Sequence, residues 1–100
     1  MAKVYWSIEA VEDFEQNIKF LEERFSETEV QSFIDKTDNI LNIISISPKT
    51  FQSTRYKNVH FVPIVRQVNL YYRITNEDSI ELVRFWNNSQ NIKKLNLCLD

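Results

Sequence analysis

Between Arg55 and Thr75 the chain carries four cations, Arg55, Lys57, Arg66 and Arg73, and no acid. Tyr56, His60, Phe61, Tyr71 and Tyr72 are interleaved with them, and Arg84 follows one strand later. Cations set among aromatic rings suit two kinds of ligand, phosphates and an acidic protein segment, because both offer anionic oxygens beside surface that a ring can cover. A solvated face with ordinary charge scatter is the plainer account and stands beside both. The net charge of -2 hides the imbalance behind this surface. Residues 1–50 hold five Lys or Arg against ten Asp or Glu, a balance of -5, whereas residues 51–100 hold seven against four, a balance of +3.

Other chemistries are excluded by what the chain does not contain. It has no glycine, so no glycine-rich phosphate loop can form, and the backbone must use Asn wherever a positive φ is needed. Breaks are expected at Asn58, Asn69, Asn76, Asn87, Asn88 and Asn91. The one cysteine, Cys98, has no partner for an internal disulfide, and with a single histidine there is no zinc-ligand cluster; no metal and no cofactor is expected. One hundred residues suit one domain over 1–100, with a single core. No apolar run is long enough to span a bilayer, and the opening MAKVYW lacks the pattern of a signal peptide, which predicts a cytoplasmic protein with no membrane partner.

The elements that must position the basic residues are legible from periodicity. Lys3 to Trp6 alternates polar and apolar and reads as a strand. Ser7 caps a helix whose stripe is Val11, Phe14, Ile18, Leu21 and Phe25. Ser26-Glu27-Thr28-Glu29 is a capping box that opens a second helix with the stripe Val30, Phe33, Ile34, Thr37, Ile40, Leu41 and Ile44, ended before Pro48. The two predict an antiparallel hairpin, followed by a polar linker from Pro48 to Asn58.

From Val59 to Trp86 the period falls to two, which predicts three successive strands. Val68, Leu70, Tyr72 and Ile74 face the core. Keeping Ile80 and Leu82 on that side sets even positions against even ones and Arg73 opposite Glu81, with an odd loop at Asn76-Glu77-Asp78. The open face then carries Tyr71, Arg73, Val83 and Phe85, joined by His60, Val62, Ile64 and Arg66 from the strand before. Pro63 places its strand at an edge or at a break. After Trp86, NNSQNIKKLNLCLD has no clear period and is compatible with a turn and tail, a helix or an edge strand. The expected fold is α+β, an N-terminal strand and helix hairpin packed on a small, mainly antiparallel four-stranded sheet.

The order strand, helix, helix, three-stranded meander resembles the RelE/ParE superfamily of toxins from bacterial toxin-antitoxin modules. VYWSIEAVEDFEQNIKFLEE, SPKTF and VNLYYRITNEDSIELVRFWNNSQNIKKL carry the resemblance, which covers nearly the whole chain. It implies a toxin neutralised by a cognate antitoxin wrapped on the helix hairpin and sheet edge, where Phe20 and Ile43 lie outside both stripes. It also implies either of two activities, ribosome-dependent mRNA cleavage in RelE-like members or inhibition of DNA gyrase in ParE-like ones. For cleavage the implied candidates are Arg66, Arg73 and Arg84 to hold charge on phosphorus and His60 to move a proton; Arg55, Lys57, Tyr71, Arg73 and Phe85 are candidates for partner binding. The chain departs from the RelE-like pattern, with Ser89 where many relatives place an Arg and with no His or Tyr after Trp86. The expectation is therefore a ParE-like or catalytically weakened member. A non-toxic interaction module for an acidic peptide and an RNA-binding domain that stacks bases on Tyr71 and Phe85 are the other classes.

Overall fold

The computed structural model describes residues 1–99 and runs β1 (Lys3–Trp6), α1 (Ile8–Arg24), α2 (Glu27–Ile46), β2 (Gln52–Ser53), β3 (Val59–Val65), β4 (Val68–Asn76), β5 (Ser79–Asn87) and α3 (Ile92–Leu99). The strands form a five-stranded mixed sheet in the order β1-β5-β4-β3-β2. The expected α+β class and helix hairpin hold, but the sheet is not four-stranded. The linker after Pro48 supplies the short β2 against Phe61 and His60. β1 lies parallel to β5 because the helix hairpin carries the chain across before it returns.

Both helices start where their caps predict. The Ser7 hydroxyl accepts from the Ala10 N–H at 3.0 Å and that of Ser26 from the Glu29 N–H at 3.4 Å. The stripe of α1 is rotated from the expected one. Ala10, Asp13, Asn17 and Leu21 are buried, and Val11 and Phe25 are exposed. In α2, Phe33, Thr37 and Ile44 are buried as expected, the Thr37 hydroxyl donating to the Phe33 carbonyl at 2.7 Å. Asn58, at φ 63°, is the one described residue at positive φ, the position where a glycine-free chain needs Asn.

The hairpin β4–β5 has the expected register at Tyr72 opposite Leu82, Arg73 opposite Glu81 and Ile74 opposite Ile80, but the expected odd loop Asn76-Glu77-Asp78 is not there: the register shifts after Ile74, Asn76 pairs with Ser79, and Glu77 and Asp78 alone make the turn. Past Leu82 it shifts by a β-bulge at Val83, so that Tyr71 faces Arg84 and Leu70 faces Phe85. One extra residue reverses the two faces of the strand beyond it. Phe85, expected on the open face, is therefore fully buried under the helices, stacked on Trp6 at 5.2 Å and edge-on to Phe14 at 5.3 Å. Val62 and Ile64 also join this core rather than the open face.

The open face is itself covered. The undecided tail folds as α3 and lays Leu95 and Leu99 on Val59, Tyr71, Val83 and Trp86. Pro63 sits beyond the reach of the two-residue β2, where the β3–β4 register shifts.

Candidate functional site

The site is built on the α3 side of the sheet, and its position follows from the bulge. β1 ends at Trp6 opposite Leu82, so beyond that pair the outer edge of β5 has no neighbouring strand. Side chains at the start of α1 satisfy it instead. The Ser7 hydroxyl donates to the Val83 carbonyl at 3.0 Å, Asp13 Oδ2 accepts from the Phe85 N–H at 3.1 Å, and Asn17 Nδ2 donates to the Phe85 carbonyl at 3.0 Å. Asn87 Nδ2 continues the ladder to Asn17 Oδ1 at 3.2 Å. These groups would otherwise be buried and unpaired, each costing about 1–3 kcal/mol.

The same Asp13 holds Arg84. Nε and Nη2 of the guanidinium reach Oδ2 and Oδ1 at 2.6 and 2.7 Å, a two-pronged pair with Asp13 only 7% exposed. The guanidinium also lies 5.0 Å from the centre of the Trp86 ring and places Nη1 3.0 Å from Cys98 Sγ. Its pKa is raised above the ordinary arginine value, chiefly by the hydrogen bonds it donates to Asp13, with burial opposing. Arg84 is thus a permanent cation whose charge is already answered inside the molecule.

The other predicted residues divide into three groups. Arg73 stands beside Arg84 on the α3 side and donates from Nη2 to the Leu99 carbonyl at 3.0 Å, tying down the end of α3. Ser7, Glu9, Glu81, Val83 and Cys98 complete the cleft around the two arginines, of about 240 Å³. Arg55 and Tyr71 meet in a second groove of about 390 Å³ between α3 and the β2–β3 connection. Tyr71 stacks on Phe61 at 5.6 Å, while Arg55 lies over the Tyr56 ring and donates to its hydroxyl at 2.8 Å. Lys57, Arg55 and Arg66 are exposed, but Arg66 sits away from the others in the β3–β4 turn, where its carbonyl accepts from Asn88 Nδ2 at 3.2 Å.

His60 is not part of the site. It pairs with Tyr72 across β3 and β4 and stacks on that ring at 5.5 Å, on the helix side of the sheet. Its Nδ1 lies 2.9 Å from the Phe51 carbonyl, and since a carbonyl only accepts, Nδ1 carries the proton. Tyr72 below it donates to the Pro48 carbonyl at 2.7 Å, and burial pushes its phenol up to about 12, the Phe51 backbone opposing. Phe85 is likewise a core residue and offers no stacking platform.

With this geometry in place, the architecture can be set against solved structures. The chain matches a chain of the chromosomal ParDE system of P. aeruginosa with a TM-score of 0.69 at 10% identity, over 87% of this chain and 96% of that one. The YoeB/ParE toxin of Agrobacterium tumefaciens superposes with a TM-score of 0.60 at 13% identity, over 85% and 97%.

The chain has the fold of the ParE and YoeB toxins.

A chain of the E. coli DinJ-YafQ complex matches similarly, with a TM-score of 0.59 at 9% identity, over 89% and 96%. No protein-family model matches the sequence, and no curated protein does. The likeness is therefore one of architecture, which the sequence carries in its element order and caps.

Asp13 and Asn17 escaped the sequence reading. Their signal is spacing, since Ala10, Asp13, Phe14, Asn17 and Leu21 fall on one helical face, so two polar residues sit inside the buried stripe. Among the described residues no three His, Cys, Asp or Glu are gathered where they could hold a metal, and no described helix is long and apolar enough to cross a membrane.

Proposed function

We propose that the chain is the toxin component of a type II toxin-antitoxin module, of the ParE-like or catalytically weakened kind, and that a cognate antitoxin neutralises it. The observation that carries the choice of kind is the pairing of Arg84 with Asp13, with His60 on the far side of the sheet. In-line cleavage by a ribose 2′-hydroxyl needs one group to take a proton, one to return it and cations free to answer charge on phosphorus. Here the central cation is occupied, and the histidine proposed for proton transfer donates to a backbone carbonyl instead. Binding survives such an arrangement. Arg55, Lys57 and Arg66 stay exposed and can meet an anionic partner surface, whether on DNA gyrase or on the ribosome with its mRNA.

The antitoxin belongs to the proposal on two grounds. YafQ, a protein of this fold, is found in complex with DinJ. Of the two apolar residues expected outside the stripes, Ile43 is exposed while Phe20 packs partly against the core, and Phe25 is exposed at the end of α1; an acidic hairpin with such apolar positions suits a segment that folds as it binds. Co-expression with the product of the adjacent open reading frame tests this, and two soluble proteins that fail to co-purify at moderate salt would sink it. Activity is tested by following growth, ribosome-bound mRNA cuts and gyrase supercoiling for the parent, His60→Ala, Arg66→Ala and Arg84→Ala. Gyrase inhibition relieved by Arg66→Ala and not by His60→Ala is the expected result. Message cleavage abolished by a folded His60→Ala would establish the nuclease instead.

A second reading is favoured by the groove of Tyr56, Phe61, Tyr71 and Arg55, whose rings and cation also suit an unpaired base or an acidic peptide. Phosphate-led binding there should weaken steeply with salt.

A further inference from the structure

The sheet has an open edge at β1, and the apolar surface of the chain gathers beside it. Tyr5 is 54% and Trp6 38% exposed, and Ile8 and Val11 follow in the first turns of α1. The last turn of α2 is tied to the start of β1, the Ala2 N–H donating to the Ser45 carbonyl at 2.7 Å. The edge strand is short, four residues, and carries one charge, Lys3, but it has no proline, no bulge and no inward-pointing charge to turn a partner away.

Its backbone polarity is fixed by the pairing inside the sheet. The N–H groups of Lys3 and Ser7 donate to the carbonyls of Asp78 and Leu82, so odd-numbered residues turn their backbone toward β5. Val4 and Trp6, between them, turn theirs outward. Two outward residues separated by one inward residue make a self-complementary pattern. An antiparallel copy of β1 centred on Tyr5 sets each Val4 against the other copy's Trp6, where the two exchange both N–H···O bonds, four bonds in all about the axis. Tyr5 then meets its own symmetry mate at the closely spaced position, where two aromatic side chains stabilise each other across strands.

Charge fits the same register. Lys3 falls opposite Ser7 of the other copy, the cap of α1, whose first turn carries Glu9. The two-fold axis repeats this lysine-to-glutamate match, so the arrangement is closed and isologous.

We propose that, in the absence of another partner, two copies of this chain pair antiparallel through the outer edge of β1, centred on Tyr5, to form one continuous sheet. The proposal does not depend on the toxin reading. Sedimentation of the whole chain should show a dimer in reversible equilibrium with monomer. In a Cys98→Ser background, Tyr5→Cys should cross-link under mild oxidation, because the closely spaced antiparallel pair is within disulfide reach. Tyr5→Lys, at an exposed position, should raise the dissociation constant at least about tenfold by setting like charges across the axis. Lys3→Glu should weaken the dimer in the same direction, and Lys3→Glu with Glu9→Lys should restore it, a rescue that a loss of folding cannot mimic. A chain that is monomeric throughout overturns the proposal. So does a dimer indifferent to Tyr5→Lys and to the charge swap, or one in which Tyr5→Cys stays reduced while dimeric.

Discussion

The two faces of the sheet are covered in unequal measure. On one side α1 and α2, of 17 and 20 residues, lie over a core of Tyr72, Phe33, Phe85, Leu21, Leu70, Ile80 and Leu82, all fully or almost fully buried. On the other, one eight-residue helix is held by Leu95, Leu99 and the Arg73 bond to its last carbonyl. The first face has aromatic rings packed on one another, with Phe85 touching Trp6, Phe14 and Phe33. The second carries the cations. A domain of this size builds one substantial core, so the thinner side is where charged and aromatic groups can be kept near solvent for a partner.

Removing Phe85 should break this inequality most severely. Phe85→Ala empties the point where three aromatic contacts converge, and it should cost about 3–5 kcal/mol in urea unfolding, a large share of the about 5–15 kcal/mol that holds a domain folded. Were Phe85 instead on the solvent face, the change would lie within about 0.5 kcal/mol. Asp13→Ala comes next. It strips the bulge of its acceptor and leaves Arg84 with no carboxylate, for an expected loss of about 1–3 kcal/mol, and it should also strengthen binding of the chain to a polyanion column, since a cation is released. An unchanged salt elution point in a folded Asp13→Ala protein would show that Arg84 is not withheld by Asp13.

That pair of residues marks the limit of what sequence patterning could deliver. The caps at Ser7 and Ser26, the inward row Val68, Leu70, Tyr72, Ile74 and the pairing of Arg73 with Glu81 were all legible, because each depends on a local period or a local bond. The bulge at Val83 was not. It is imposed by α1, whose Asp13 and Asn17 satisfy the shifted backbone from some 70 positions away, and a strict alternation read along β5 puts Phe85 on the wrong face from that point on. His60 was assigned to the wrong face for a different reason: β3 pairs with β4 even to even, His60 opposite Tyr72 and Val62 opposite Leu70, so the even-numbered residues of β3 share the helix side with the inward row of β4. The tail Asn87 to Leu99 lacked a long period, yet Leu95 and Leu99, one helical turn apart, were enough once a sheet face lay beneath them.

Loosening α3 should have a smaller effect on the whole than on the part. Leu99→Ala removes one of two anchors, but an eight-residue helix can detach without unfolding the sheet. Global stability should fall by less than the about 2–5 kcal/mol of a core leucine. Amide exchange should rise strongly within 92–99 while that of β4 changes little. Equal rises in both would mean that α3 and the helix-side core form one cooperative unit, and the contrast between the faces would then be one of composition only.

The smallest effect is expected at Tyr72, on the well-packed side, and it separates packing from titration. Tyr72→Phe keeps the ring and loses the bond to the Pro48 carbonyl, which should cost about 0.5–1.5 kcal/mol near neutral pH. In the parent the folded phenol, at about 12, holds its proton more tightly than the unfolded one at 10.0. The stabilising contribution is therefore complete below pH 10 and is lost as pH rises from there toward 12, the unfolded chain releasing its proton first. Parent and Tyr72→Phe should differ most at and below pH 9 and converge above it, because the variant has no proton to lose at this position. Urea midpoints taken in half-unit steps from pH 8 upward read this directly. Parallel curves would place the alkaline sensitivity elsewhere in the molecule and would remove the titration of a buried phenol from the account of what the helix-side core contributes.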